Sequence, residues 1–180
     1  RADNGGKTQT VTARSGRAPV TEQATRIILK AEHLGTNAQE PSEGPIANLI
    51  DGNTATFFHT AWSVAIPGPH WLQIRLPEAL TEGHWKFWYA PRNNGRQKPT
   101  DFDILVSTGG SDWTLVKKFT KDEDGLPVTA TDAYTSPNLP VTQPFDHIRM
   151  VVNAVNSGEV FFTMSEFRLW QVKVVDPEAE

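Results

Sequence analysis

The sequence predicts an all-β fold, a β-sandwich of about eight strands. Three observations carry this. Short runs alternating apolar and polar residues recur along most of the chain, loops containing Pro and Gly separate them, and no stretch shows strong helical periodicity. The 180 residues include six Trp and 38% hydrophobic residues, enough for one substantial core. No internal repeat is visible.

Taken in order, residues 1–24 are polar and rich in Gly, Thr, Ala and Arg, and read as a linker or the end of a preceding module. Residues 25–176 then form the domain, with 177–180 as a tail. The run 25–31 is the first convincing strand. Residues 32–44 are loop-like, and 45–50 read as a short helical turn. The run 71–76 alternates cleanly, and 84–89 places Trp85, Phe87 and Tyr89 on one face by the period-two rule. Runs 101–106 and 113–119 flank Gly109-Gly110 and form a hairpin. A weaker strand covers 128–134. Runs 145–152 and 161–172 complete the set, with Ile148, Met150 and Val152 on a core face.

Composition narrows the function. A net charge of −4 argues against non-specific nucleic-acid binding, and the absence of Cys excludes disulfides and thiolate metal sites. No apolar run approaches transmembrane length. The chain begins with Arg rather than Met, which reads as an excised or processed piece whose targeting signal is out of view.

One stretch concentrates the chemistry. Asp51 and Asn53 around Gly52, followed by Thr56, make a tight turn rich in oxygen, the ligand type that calcium requires. A second carboxylate is available from Glu166, so one ion would lock the start of the fold to its end. Asp-Gly-Asn is also an ordinary turn sequence that needs no ion. His59, Thr60 and Trp62 follow this turn directly. A polar loop, 90–96, closes the aromatic strand, and Val160-Phe161-Phe162 precedes Glu166. Aromatic rings beside Arg, Asn and His are what sugars need, flat apolar surfaces next to planar donors and acceptors. Trp62 as core and Arg92 as a structural ion-pair partner are the plainer readings.

Enzyme signatures are sparse. The five His lack zinc-like spacing, and neither a Gly-x-Ser-x-Gly elbow nor a phosphate-binding Gly loop is present. Asp101 and Asp103, two apart on one strand face, stand about 6.5–7 Å apart, near the separation that inverting glycosidases use. A solvated strand face with Phe102 and Ile104 turned inward explains the same pattern.

The ordered series Asn48-Leu-Ile-Asp-Gly-Asn with Thr56, Phe58-His-Thr, Trp71-Leu-Gln-Ile, Tyr89 with Pro91-Arg92, Phe102 to Ser107, Trp113, Ile148-Arg149 and Ser165-Glu-Phe-x-Leu-Trp170 resembles a discoidin domain. This is the coagulation factor V/VIII C-type family, which includes the family 32 carbohydrate-binding modules. The resemblance spans about residues 26–172 and implies a galactose-binding-like jelly-roll sandwich of antiparallel strands. It implies a structural calcium held by the carbonyls of Asn48 and Ser165 with Asp51, Asn53, Thr56 and Glu166. By position His59 resembles the family's sugar-binding His, Arg92 its Arg and Phe161 its late aromatic. The family's Asn-Gly, measured back from Phe102, falls at Arg96-Gln97, with Asn94-Gly95 slightly earlier; Trp62, Asn94 and Arg96 complete the ligand-binding set. The spacing from His59 to the following Arg residues departs from the fucose-lectin pattern, so the sugar stays open.

The resemblance implies a non-catalytic glycan-binding module, carried in a larger multidomain protein at an extracellular, periplasmic or cell-surface location. The alternatives are a protein- or phospholipid-binding adhesion domain and, third, a glycosidase using Asp101 and Asp103.

Overall fold

The computed structural model describes residue 16, residues 18–129 and residues 132–179. The strands are β1 (Thr21–Ile27), β2 (Leu34–Thr36), β3 (Phe58–His59), β4 (His70–Leu80), β5 (His84–Ala90), β6 (Pro99–Ser107), β7 (Thr114–Thr120), β8 (Tyr134–Thr135), β9 (Leu139–Pro140), β10 (Phe145–Val155), β11 (Thr163–Met164) and β12 (Glu166–Val175). Two five-stranded antiparallel sheets result, one in the order β2-β4-β10-β6-β7 and the other β1-β12-β5-β8 with β9 also on β5. The pair β11-β3 stands apart from both. Seven strands are long (β1, β4, β5, β6, β7, β10, β12), and the short ones bring the number above the eight expected.

The alternation in the sequence becomes the core. Trp85, Phe87 and Tyr89 of β5 are buried, as are Phe102, Ile104 and Val106 of β6 and Ile148, Met150 and Val152 of β10. Phe87 lies parallel to Phe167 with ring centroids 6.1 Å apart, and Phe102 stacks on Phe119 at 5.1 Å. The predicted hairpin is β6-β7, and Gly109 and Gly110 both take positive φ at its turn. The helical turn expected at 45–50 is a 3₁₀ turn, Ile46–Ile50.

Two expected segments need new bounds, and one short element goes beyond the expectations. Thr21 to Ala24, read as linker, are the first half of β1 and pair with β12 from Thr21 opposite Val175; residues 1–15 and 17 lie outside the described residues. The strand expected at 128–134 shrinks to Tyr134–Thr135, with 130 and 131 outside the described residues. One helical turn, Lys121–Asp124, follows β7; Thr120 accepts from the Glu123 N–H at its start and left-handed Gly125 ends it. Of the expected tail, Glu180 lies outside the described residues. Among the described residues no helix is long and apolar enough to cross a membrane.

Candidate functional site

The short pair β3-β11 sets His59 opposite Thr163 at one end of the sandwich. His59 is buried, and its ring lies 5.7 Å from that of Phe161, 6.4 Å from Trp62 and 6.3 Å from Phe57. Its Nδ1 stands 2.6 Å from the Thr60 carbonyl. A carbonyl only accepts, so Nδ1 carries the proton and Nε2 is left an acceptor with no protein partner among the described residues. Burial pushes the imidazole below its ordinary value, with Arg92 adding to the shift and the Thr60 bond and Glu43 opposing it. His59 is therefore neutral at pH 7.

Arg92 leaves the end of β5 and lays its guanidinium over Phe57, 3.6 Å from the ring centroid. It makes no ion pair or side-chain hydrogen bond among the described residues, so its donors are free for a ligand. Its carbonyl is fixed from below by the fully buried Lys98 Nζ and from the loop by Asn94 N at 2.9 Å. Burial, then Arg92, pushes the Lys98 ammonium below its ordinary value.

Two groups that the sequence did not disclose hold the other side. Glu40 is 2% exposed and accepts five hydrogen bonds: Ser42 N and Oγ, Ser63 N and Oγ, and Trp62 N at 2.7 Å. Burial pushes its carboxyl up, but these bonds outweigh that and hold it far below the usual carboxylate range. Glu43 accepts the Trp62 indole N–H at 2.9 Å. Trp62 is thus tied at backbone and ring while half its surface stays exposed. Gly44 sits directly over His59, and its carbonyl accepts the His59 backbone N–H at 3.0 Å. A Cβ on Gly44 would lie 2.7 Å from the His59 nitrogen, and its φ of +63° is left-handed, so only glycine fits there.

The other ligand candidates are engaged within the protein. Arg96 pairs with Glu159 at 2.5 Å. Asn94 donates to Gln97 Oε1 and accepts from Arg96 N. Gln97 itself holds φ +55°, a left-handed conformation that Asn adopts more readily. Beside His59, Trp62, Val64, Ile66, Pro67, Val160 and Phe161 line an apolar cavity of about 380 Å³.

The cation candidates split in the same way. Asp51 and Glu166 are brought together across the fold, and Glu166 Oε1 accepts the Gly52 N–H at 2.7 Å. Thr56 donates to Asp51 Oδ2 at 2.5 Å. Glu166 is fully buried, yet among the described residues its Oε2 has no hydrogen bond; Arg168 Nε stands 3.9 Å away, and the buried Ser165 hydroxyl is also unbonded among them. Burial and then the Asp51 carboxylate push Glu166 up. Burial also pushes Asp51 up, but bonds from Thr56 and the Asn53 N–H leave it lowered. Asn48 turns its amide to the Phe57 carbonyl, and Asn53 Oδ1 accepts from Ala55 N. Among the described residues no three His, Cys, Asp or Glu converge, so two carboxylates would need hydroxyl and carbonyl oxygens beside them. An orphaned buried carboxylate oxygen facing a second carboxylate fits a hard cation.

Asp101 and Asp103 are both occupied. Lys118 Nζ lies 2.8 Å from one and 3.3 Å from the other, and Asn153 donates to Asp101.

Known proteins are similar to this chain in sequence and in fold. The sequence profile of the F5/8 type C domain matches residues 30–167. A sialidase from Micromonospora viridifaciens is 28% identical over 134 residues, covering 71% of this chain and 19% of the sialidase. An A type blood N-acetyl-α-D-galactosamine deacetylase from Flavonifractor plautii is 30% identical over 89 residues, 43% of this chain and 11% of that enzyme. The chain thus spans about a fifth or less of the curated relatives it matches. Among solved structures, a family 32 carbohydrate-binding module of Clostridium perfringens in complex with GalNAc-β-1,3-galactose superposes with TM-score 0.65 at 17% identity, over 81% of this chain and 99% of that one. A second C. perfringens family 32 module, in complex with galactose, gives 0.60 at 22% identity over 83% and 100%. The fold is the one these modules share, the profile match runs through both the His59 segment and the Asp51 turn, and the chain belongs to the F5/8 type C domain family.

Proposed function

We propose that this chain is a non-catalytic carbohydrate-binding module that reads a sugar at the His59 end of the sandwich. One observation carries the reading: an imidazole with its tautomer fixed keeps an Nε2 that has no partner among the described residues, and it packs against the same Phe57 ring as a guanidinium that is unpaired among them, with Trp62 and Phe161 on its other sides. His59 Nε2 accepts from a sugar hydroxyl, Arg92 donates to ring or hydroxyl oxygens, and Trp62 and Phe161 cover the apolar face. The galactose and GalNAc-β-1,3-galactose bound by similar modules support a terminal galactose-type sugar. The sialidase and deacetylase relatives support a place in a larger, extracellular glycan-processing enzyme, with this domain as an accessory that brings weak affinity and gains from avidity.

Asp51, Thr56 and Glu166, with the carbonyls of Asn48 and Ser165 and with Asn53 completing the turn, would hold a structural calcium. Its charge would neutralise the two facing carboxylates and tie the turn to β12. Glycosidase chemistry is disfavoured because Asp101 and Asp103 share the Lys118 ammonium; burial pushes Asp101 up, but Lys118 and Asn153 outweigh that and hold it below its ordinary value, the opposite of what an acid catalyst needs. The apolar cavity with exposed Trp62, Val64 and Val160 favours a second reading, adhesion to a phospholipid surface.

A glycan array with the full chain in calcium, alongside Arg92→Ala and His59→Ala, tests the proposal. Terminal-sugar binding lost in both variants, with unchanged circular dichroism, is the expected result. Retained binding would move the site elsewhere; silence on the array with binding to phosphatidylserine vesicles would favour the second reading.

A further inference from the structure

A second concavity, of about 500 Å³, shares no lining residue with the His59 site. Thr54 and Ala55 of the Asp51 turn, Trp88 and Pro91 from the end of β5, Asn93 and Ala133 line it. Trp88 alternates with the core residues Phe87 and Tyr89, so it stands on the outer face of its sheet. Arg168 is its register partner on β12, and the guanidinium carbon lies 4.5 Å from the indole centroid. That contact holds the indole from one side. Thr54 and Asn93 are exposed, and neither side chain has a hydrogen-bond partner among the described residues.

The lining selects a ligand by chemistry. Among the described residues no charged side chain lines the cavity, and the nearby Arg168 guanidinium is engaged on the indole, so the lining itself offers an ion no counter-charge. A purely apolar ligand would desolvate the Thr54 hydroxyl and the Asn93 amide without replacing their bonds to water. An indole floor beside one hydroxyl and one amide matches a neutral ring with one apolar face and a rim of hydroxyls. The volume falls within the range of small-ligand sites.

We propose that the Trp88 cavity is a second carbohydrate subsite, taking a neutral pyranoside and acting independently of His59. Trp88 stacks under the sugar ring, Asn93 and Thr54 bond its hydroxyls, and Arg168 positions the indole without touching the sugar. One domain then engages two residues of a branched or clustered glycan, and each bound sugar raises the effective concentration of the other. The inference takes its ligand class from the proposed function but not its site.

Two-dimensional NMR of the ¹⁵N-labelled full chain in calcium tests it, with methyl β-galactopyranoside, methyl β-glucopyranoside and methyl α-mannopyranoside as probes. With at least one probe, the Trp88 indole N–H and Asn93 side-chain amide should shift in a saturable way, and still do so in His59→Ala. Asn93→Ala, an exposed change that leaves the fold intact, should weaken that transition about three- to tenfold, the size of one lost hydrogen bond, and leave shifts near His59 unaltered. Trp88→Phe should retain part of the affinity and Trp88→Ala none. Trp88 and Asn93 signals that stay still with every probe, or that stop moving in His59→Ala, would overturn the subsite. Silence only around His59 and Phe161 would instead overturn the primary site and leave this one standing.

Discussion

Stripping calcium from the protein should lower its melting temperature by about 5–10 °C, and Glu166→Gln should abolish that response. Glu166 is a buried carboxylate with one oxygen on the Gly52 N–H and the other without a hydrogen bond among the described residues, and it faces Asp51. A cation between the two replaces repulsion with attraction and satisfies the orphaned oxygen. At a free calcium concentration of a hundred times Kd, linkage gives about 2.7 kcal/mol. For a domain of this size each kcal/mol moves Tm by about 2–4 °C, hence the range. In Glu166→Gln the amide oxygen can still accept from Gly52 while its NH₂ donates to Asp51, so the bridge survives without metal. Differential scanning calorimetry in EDTA, in calcium and after calcium is restored reads both effects. Identical wild-type melting in EDTA and calcium, with no calcium by elemental analysis, would refute the argument; so would a Glu166→Gln protein that responds to calcium like the wild type.

Glu40→Gln should weaken sugar binding and lower Tm without touching ligand, because an amide in its place must turn its NH₂ toward at least one of three backbone N–H donors; a red-shifted Trp62 emission in titration would accompany the loss. His59 titrates below the 6.5 of the unfolded chain, so on acidification the unfolded state takes its proton first. Stability that is present above pH 6.5 is therefore lost as the pH falls toward the folded value, and sugar affinity falls only at the lower end of that window, where the folded imidazole itself takes a proton and Nε2 can no longer accept. Melting and titration series between pH 7.5 and 5, repeated with His59→Gln to flatten the dependence, check this. Phe102→Ala should cost about 3–5 kcal/mol in urea unfolding, since it empties a site stacked between Phe87, Tyr89 and Phe119.

The long strands were legible because each buries one face: the alternation at 84–89 and 145–152 survives intact in the fold. Thr21 to Ala24 were not, because this edge segment is exposed on both sides and owes its structure to backbone pairing with β12. The site shows the same division. His59 and Phe161 follow local motifs and do meet in space. Glu40 carries no local signal, since its donors at Trp62 and Ser63 are supplied by a loop 22 and 23 residues away. An acid followed two residues later by Ser, ahead of an exposed Trp-Ser pair, is the only trace it leaves in the sequence. Arg96 looked available beside Arg92 because its partner, Glu159, lies 63 residues on.

The pairing of β1 with β12 also fixes how the domain can be carried. Thr21 and Val175 are neighbours, so the chain enters and leaves at one pole. From there β12 runs ten residues to Glu166, about 30 Å at strand rise, to the pole where His59 and the Asp51 turn lie. Spliced into a longer polypeptide, the domain would stand on a two-stranded stalk with its recognition pole outermost. A carrier joined at these ends would lie at the pole away from the sugar, and changing the connecting segments would alter the domain's reach while leaving its selectivity untouched.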